Sequence, residues 1–362
     1  MLRKTALNAA HADAGAKLVD FAGWEMPLHY GSQIEEHKQV RAAAGMFDVS
    51  HMATVDITGS GAEAYLQYLV ANNVSRLGEA QALYTAMLNT DGGVIDDLIV
   101  YRRGAGYRTV VNAGRRDVDL AWMRQVAADF EVDIAERTDL GIIAIQGPEA
   151  LQRAAPAVAQ AAGTESDSIS ALEGFHALHV GDWMIGRTGY TGEDGIEVVL
   201  PNDAAVALWN DLLAAGVTPA GLGARDTLRL EGGLNLYGHE MDEAVSPLEA
   251  NMAWTIAWQP AERDFVGRTA TEALRGNQQL KLTGVVLTGR GVVREGQRID
   301  CGDAGEGIVT SGIFSPTLGK GIGLVRVPRG AKGDCAVEIR GKAVPAKLVK
   351  PPFVRNGQIL ID

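Results

Sequence analysis

Two carboxylates stand side by side in a stretch that otherwise has the composition of a buried strand. The run Val94-Ile-Asp-Asp-Leu-Ile-Val-Tyr101 carries β-branched and aromatic residues, and Asn89-Thr-Asp-Gly-Gly93 before it is turn chemistry. In a strand, side chains alternate between faces, so Asp96 and Asp97 point to opposite sides. Val94, Leu98 and Val100 accompany Asp96, while Ile95, Ile99 and Tyr101 accompany Asp97. An unpaired carboxylate in such surroundings is costly unless it is hydrogen-bonded or protonated, so at least one of the two requires a specific partner. A positioned acid of this kind can hold or move a proton during a reaction. The alternative is a strand end at which both acids meet loop amides, and the sequence leaves the two readings open.

A second constellation is Arg187-Thr-Gly-Tyr-Thr-Gly-Glu-Asp-Gly-Ile-Glu197, with glycines every third residue and then a glutamate between Ile196 and Val198. Glu193 and Asp194 read as solvated loop charges, whereas Glu197 reads as inward-facing. A third is the helical run Gly221 to Glu231, where Arg225 and Arg229, four apart, share a face beside Asp226. Cations and an acid on one helix are also what a solvated face looks like. Other chemistries find less support. Gly59-Ser-Gly61-Ala-Glu-Ala64, with Glu79 downstream, mimics a dinucleotide fingerprint but lacks sustained strand–helix alternation, and a turn followed by a helix explains it better. His176 and His179, three apart in a strand pattern, face opposite ways, so the expectation is that no metal is bound. Neither a serine-nucleophile elbow nor a phosphate loop is present.

The elements that must position these residues follow from periodicity. A helix is expected near Gln33 to Ala44, then strand, helix and strand over Ala53 to Thr58, Ala62 to Val70 and Tyr84 to Leu88, ahead of the run with the paired acids. Strands are expected at 107–112 and 141–146 with a helix from Asp117 to Ala128 between them, paired strands over 174–200, and helices over 203–215 and 221–233. Residues 260–280 read as a polar connection. From Lys281 onward, short strands separated by Gly and Pro turns, with no convincing helix, suggest a small barrel or sandwich.

At 362 residues the chain exceeds the length that one growing core sustains, so two or three packed units are expected. No window approaches a membrane span, and no secretory signal or transit peptide is visible, so the expectation is a soluble, cytoplasmic protein with no membrane partner. The net charge of −12 repels nucleic acid as a whole, although a local basic patch remains compatible with it. Cys301 and Cys335 are the only thiols; they read as small core residues in a reducing compartment.

Taken together, several segments resemble the T-protein family of the glycine cleavage system. They are Asp20-Phe-Ala-Gly-Trp24-Glu-Met-Pro, Met46-Phe-Asp-Val-Ser-His-Met52, Gly92 to Val100, Gly189 to Glu197, Gly223 to Glu231, Asn235-Leu-Tyr-Gly-His-Glu-Met-Asp-Glu243 and Pro352-Phe-Val-Arg355-Asn-Gly. The resemblance implies an α+β fold: two antiparallel-sheet folate-binding lobes plus a C-terminal β-barrel, in a cloverleaf around a central folate site. It places the first lobe at 1–52 and 141–265, the second at 53–140 and the barrel at 280–362. The implied activity moves the aminomethyl carbon from the lipoyl arm of H-protein to tetrahydrofolate, with release of ammonia and no metal or redox cofactor. By the same resemblance Asp97 is the catalytic acid. Glu197 pairs with the two adjacent N–H donors of the pterin, Arg225 contacts folate, and Tyr84, Met52, Asn112, Tyr190, Tyr237 and Arg355 line the site. A folate-dependent demethylase on the same fold and a non-catalytic folate-binding scaffold are the alternatives.

Overall fold

The computed structural model describes residues 1–361. The first part runs α1 (Asn8–Asp13), β1 (Lys17–Phe21), β2 (Trp24–His29), α2 (Gln33–Ala42), β3 (Gly45–Asp48), β4 (Ala53–Thr58), α3 (Ala62–Leu69), β5 (Ala82–Leu88), β6 (Val94–Arg103), β7 (Gly106–Val111) and α4 (Arg116–Val126). Next come β8 (Asp133–Glu136), β9 (Leu140–Gln146), α5 (Ala150–Ala162), α6 (Ser166–Ser170), β10 (Ala177–Val180), β11 (Trp183–Gly186), β12 (Gly195–Pro201), α7 (Ala205–Ala214), β13 (Thr218–Pro219) and α8 (Leu222–Glu231). The last part holds α9 (Arg268–Leu274), β14 (Leu280–Leu287), β15 (Arg298–Asp300), β16 (Glu306–Ser315), β17 (Lys320–Pro328), β18 (Asp334–Ile339), β19 (Lys342–Val349), β20 (Val354–Arg355) and β21 (Gln358–Ile359).

One sheet has six strands in the order β10-β11-β12-β9-β3-β13, antiparallel except for the β3–β13 pair at its edge. A second has five, in the order β5-β6-β7-β4-β8. Strands β14 to β19 close into a barrel in the order β14-β17-β16-β15-β18-β19. This is the α+β class with a C-terminal barrel that the sequence implies. The six-stranded sheet covers one face with α5 and α7, burying Ile143, Ile145, Ile196, Val198, Leu208 and Trp209 in one core. The side chains between them in sequence, including Ala144 and Glu197, therefore belong to the opposite face.

The chain divides into two compact units. One comprises Met1–Leu66, Val74–Tyr84 and Leu98–Asp226; the other comprises Gln67–Asn73, Thr85–Asp97 and Thr227 onward. Strands β5 and β6 and helices α3 and α8 each begin in one unit and end in the other. In the first unit Asp56 holds the five-stranded sheet to the β10–β11 turn. It accepts from Arg108 Nε at 2.6 Å and Nη2 at 2.8 Å and from Arg137 Nη1 at 3.0 Å, while Arg108 donates on to the Asp182 carbonyl. In the second unit the buried end of α8 is fastened by two carboxylates. Glu240 accepts from Arg229, from the Leu236 amide and from the Thr310 hydroxyl, and Glu231 accepts from Ser315 and Thr317.

Several expectations need correction. Residues 260–280 are not merely a polar connection: they include α9 and a buried Arg263 whose guanidinium donates to the carbonyls of Gln67, Val70, Ala71 and Asn72. Those are carbonyls at the C-terminal end of α3, which lack helical partners of their own. Helix α5 fills a stretch for which no element is expected, and it carries Pro156 in its interior. Arg229 is 2% exposed rather than solvated, held by its ion pair with Glu240. Glu193 is likewise not a solvated loop charge; its side chain is buried and accepts from Arg41 at 2.7 Å. His176 lies just before β10 rather than within it. At the dinucleotide look-alike, a Cβ on Gly59 would lie 2.5 Å from the Glu131 carbonyl oxygen, so this glycine serves close backbone packing.

Candidate active site

Glu197 sits on β12, paired with Gly186 on β11 and Ala144 on β9. Those are the two smallest kinds of side chain, so the residues directly across from the carboxylate do not cover it, and Glu197 is only half-buried. The loop before it, 187–195, is held by its own polar groups. Arg187 pairs with Asp194 through two hydrogen bonds, Thr191 donates to Gln146 Oε1 at 2.9 Å, and Gln146 Nε2 donates to the Thr188 carbonyl at 3.1 Å. The three glycines make this possible. A Cβ on Gly189 would lie 1.9 Å from Gln146 Oε1 and one on Gly195 would lie 2.2 Å from the Ile145 carbonyl oxygen, while Gly192 has a positive φ of 77°. The glycine spacing thus wraps the loop round the Gln146 side chain, and the result presents Thr188, Tyr190 and Glu197.

Arg225, on α8, lies over the Tyr190 ring at 4.3 Å from its centroid, an arrangement that fixes the guanidinium by cation–π attraction. The start of α8 is drawn in close by Gly221, whose amide donates to Glu36 Oε2 at 2.9 Å and whose Cβ would collide with the Leu28 backbone. His51 belongs to the same neighbourhood. It is 4% exposed, meets Phe21 edge-to-face at 5.3 Å, and its Nδ1 has no hydrogen-bond partner. Burial, helped by the Arg225 charge, pushes its pKa down to about 4. The ring is therefore neutral at physiological pH.

The paired acids of β6 are in different surroundings. Asp96 is fully buried, whereas Asp97 is half-buried, as is Ile99 on the same face. The start of this strand is fixed from several directions within the second unit. Asn89 Oδ1 accepts the amides of Asp91 and Gly93, and its Nδ2 donates to the Glu243 carbonyl at 2.9 Å. The Val94 amide lies 3.1 Å from the carbonyls of both Asp242 and Val245, and the Tyr237 hydroxyl donates to the Val94 carbonyl at 2.9 Å. Gly93 is required here, since a Cβ would fall 1.8 Å from the Glu243 carbonyl oxygen.

Of the residues singled out from sequence, the first unit brings Glu197, Tyr190 and Arg225 onto or beside one loop, with Met52 immediately after His51 in the chain. Tyr84 on β5 and Asn112 at the end of β7 are half-buried in that unit. In the second unit Tyr237 holds the strand that carries Asp97, and Arg355 is exposed on the β20–β21 hairpin. Sequence reasoning passed over Thr188, Tyr101, Gln146 and His51. Thr188 and His51 lie within segments singled out for other residues, and Tyr101 shares a strand face with Asp97, but their own types and spacing do not mark them.

Fold and site define a class: an α+β ligand-binding enzyme with an appended closed barrel, in which a half-open carboxylate and an arginine–tyrosine stack share a neighbourhood, and whose described residues include no group able to hold a metal ion. The GCVT N-terminal domain model matches residues 7–260 and the glycine cleavage T-protein C-terminal barrel domain model matches 281–355. The chain belongs to the glycine cleavage T-protein family and is an enzyme of the transferase class. It is 54% identical over 362 residues to the aminomethyltransferase of Chromobacterium violaceum, covering 99% of both chains. It is 53% identical to that of Pseudomonas syringae pv. tomato, with full coverage of both. Among solved structures, glycine cleavage system aminomethyltransferase T from Bartonella henselae superposes with a TM-score of 0.91 at 33% identity, over 98% of this chain and 99% of that one.

Proposed function

We propose that this enzyme takes the aminomethyl group carried on the dihydrolipoyl arm of H-protein and transfers its carbon to tetrahydrofolate. Ammonia leaves, and the products are dihydrolipoyl H-protein and 5,10-methylene-tetrahydrofolate. Family membership supports the reaction class, and the observation that carries the folate assignment is Glu197. A half-buried carboxylate flanked by Gly186 and Ala144, with acceptor directions left over, suits the adjacent N3–H and 2-amino donors of a reduced pterin, much as it suits a guanidinium. Arg225, steadied on Tyr190, suits an electron-rich or anionic part of the same molecule.

Tetrahydrofolate, when bound, supplies the two nitrogens, N5 and N10, that take up the carbon. The chain supplies binding and proton management. Glu197 and Arg225 hold and orient the ligand, with Tyr84, Met52, Asn112, Tyr190, Tyr237 and Arg355 as further contacts. Asp97 holds or moves a proton at N10 as ammonia departs, a contribution of ~10²–10⁴ in rate for a positioned acid or base. Asp96, fully buried, keeps a structural role. On the same reading residues 1–52 with 141–265, and residues 53–140, form the two folate-binding lobes ahead of the barrel. The setting is the cytoplasm, in keeping with the two free thiols. Purified protein supplied with aminomethylated H-protein and tetrahydrofolate is expected to release ammonia stoichiometrically with methylene-tetrahydrofolate. No release with a verified H-protein would end this reading.

A further inference from the structure

Glu197 is held from one side by a short chain of hydroxyl groups. Thr188 Oγ1 donates to Glu197 Oε2 at 2.6 Å, and the Tyr101 phenol oxygen lies 2.9 Å from Thr188 Oγ1. The direction of the second bond follows from the first. A threonine hydroxyl has one proton, an ionised carboxylate can only accept, and so the Thr188 proton is committed to Glu197. Tyr101 must then donate to Thr188. The phenol can do so at any working pH, because burial, with the Glu197 charge behind it, raises its pKa well above the ordinary tyrosine value.

The surroundings are built for this chain. Tyr101 is 2% exposed and Thr188 7% exposed. Gly186, directly across from Glu197, leaves the space that the phenol tip occupies: a Cβ there would lie 3.1 Å from the Tyr101 hydroxyl oxygen and 3.4 Å from Thr188 Oγ1. The Thr188 backbone is itself pinned, because Gln146 Nε2 donates to its carbonyl. Both partners of the Thr188 hydroxyl are thus fixed, and so is the residue that carries it. A carboxylate offers about four acceptor directions, so one bond from Thr188 selects the side chain's orientation and leaves the remainder for a ligand.

We infer that Thr188, oriented by Tyr101, is a positioning residue for Glu197: it sets the carboxylate so that both oxygens meet paired N–H donors of the folate at once. Thr188 touches no reacting atom. The inference rests on the assignment of Glu197 to the pterin. Preorganising one charged acceptor in this way acts on binding rather than on the chemical step, because the same pairing exists before and during reaction.

The test compares T188V, T188S and Y101F with the wild type, measuring kcat and KM for tetrahydrofolate with aminomethylated H-protein, and Kd by equilibrium titration with tetrahydrofolate. T188V keeps the β-branch and loses the hydroxyl, and it is expected to raise KM and Kd by ~10-fold with kcat within ~2-fold. T188S keeps the hydroxyl and is expected to stay within ~2-fold of the wild type, while Y101F, which leaves the ring in place, should weaken binding by ~3-fold. Equal impairment in T188S and T188V would show that packing matters and not the hydroxyl, and unchanged Kd in T188V would likewise overturn the inference. Should T188V fail to fold, Y101F with wild-type Kd would overturn it. Wild-type protein that bound no tetrahydrofolate would overturn the Glu197 assignment itself, an outcome distinct from a relay that has no effect.

Discussion

At the scale of single residues, the two acids of β6 and the glutamate of β12 make separable predictions. Asp97→Asn keeps the shape of the side chain and removes its basicity, so ammonia release should fall by ~10²-fold or more while tetrahydrofolate affinity changes little. Equal turnover in the variant would remove Asp97 from the reaction and favour a binding-only role. Glu197→Gln should instead weaken folate binding by ~10-fold, because an amide cannot accept two hydrogens side by side; a titration showing wild-type affinity would take it out of the site. His51 adds a pH effect. Its pKa is near 4 in the fold against 6.5 in the unfolded chain, so below pH 6.5 the unfolded state binds a proton that the folded state refuses. The stability this group supports is complete above about pH 6.5 and is lost as pH falls toward 4, about 3 kcal/mol over the whole window. His179, also lowered by burial, acts with the same sign. Urea midpoints measured at pH 7 and pH 5 should converge in H51Q relative to the wild type, and identical pH dependence in the two proteins would contradict this account. Glu197 and the β6 acids were legible in sequence because charge interrupts an apolar alternation. Thr188 and Tyr101 were not: a threonine in a glycine-rich loop and a tyrosine in a strand look ordinary until tertiary packing brings their hydroxyls together.

At the scale of elements, most strands and helices follow their sequence periods, and α5 and α9 are exceptions. Helix α5 holds Pro156 in its interior, which by sequence rules argues against a helix, and α9 has only seven residues, too few for a period to show. Glu193 reads as a solvated charge and Arg263 as part of a polar connection, since the groups that satisfy them are main-chain carbonyls or residues far off in the chain, and no spacing rule records those. The turn before β6 offers a direct test. Gly93→Ala puts a methyl group into the Glu243 carbonyl, so it should lower the melting temperature and reduce turnover together. Gly174→Ala, where nothing lies within 4 Å of the added methyl, should do neither. A G93A protein as active and as stable as G174A would show that this turn does not govern the strand.

At the scale of the whole molecule, the two compact units are not successive along the chain; four elements pass from one into the other. The second unit also depends on its distant parts for satisfaction of buried charge. Arg229 and Glu240 find Ser311 and Thr310, Glu231 finds Ser315 and Thr317, and Leu230 is buried among Leu282, Ile322, Leu324 and Phe353. A chain stopped at residue 275 would remove the Ser311, Thr310, Ser315 and Thr317 hydroxyls from these buried charges and expose Leu230, which is strongly destabilising. Such a truncation should be insoluble or lack a cooperative thermal transition, and a soluble fragment melting like the full chain would refute this. The anchoring of Val94 by Tyr237, Asp242 and Val245 has one more consequence. Sliding this ribbon by a single position would swap what its neighbouring aspartates face, sending Asp97 into oil and bringing Asp96 out. The loop at 235–245 is thus a proofreader of alignment: by gripping the first rung, it decides which of two chemically identical acids stays half-open.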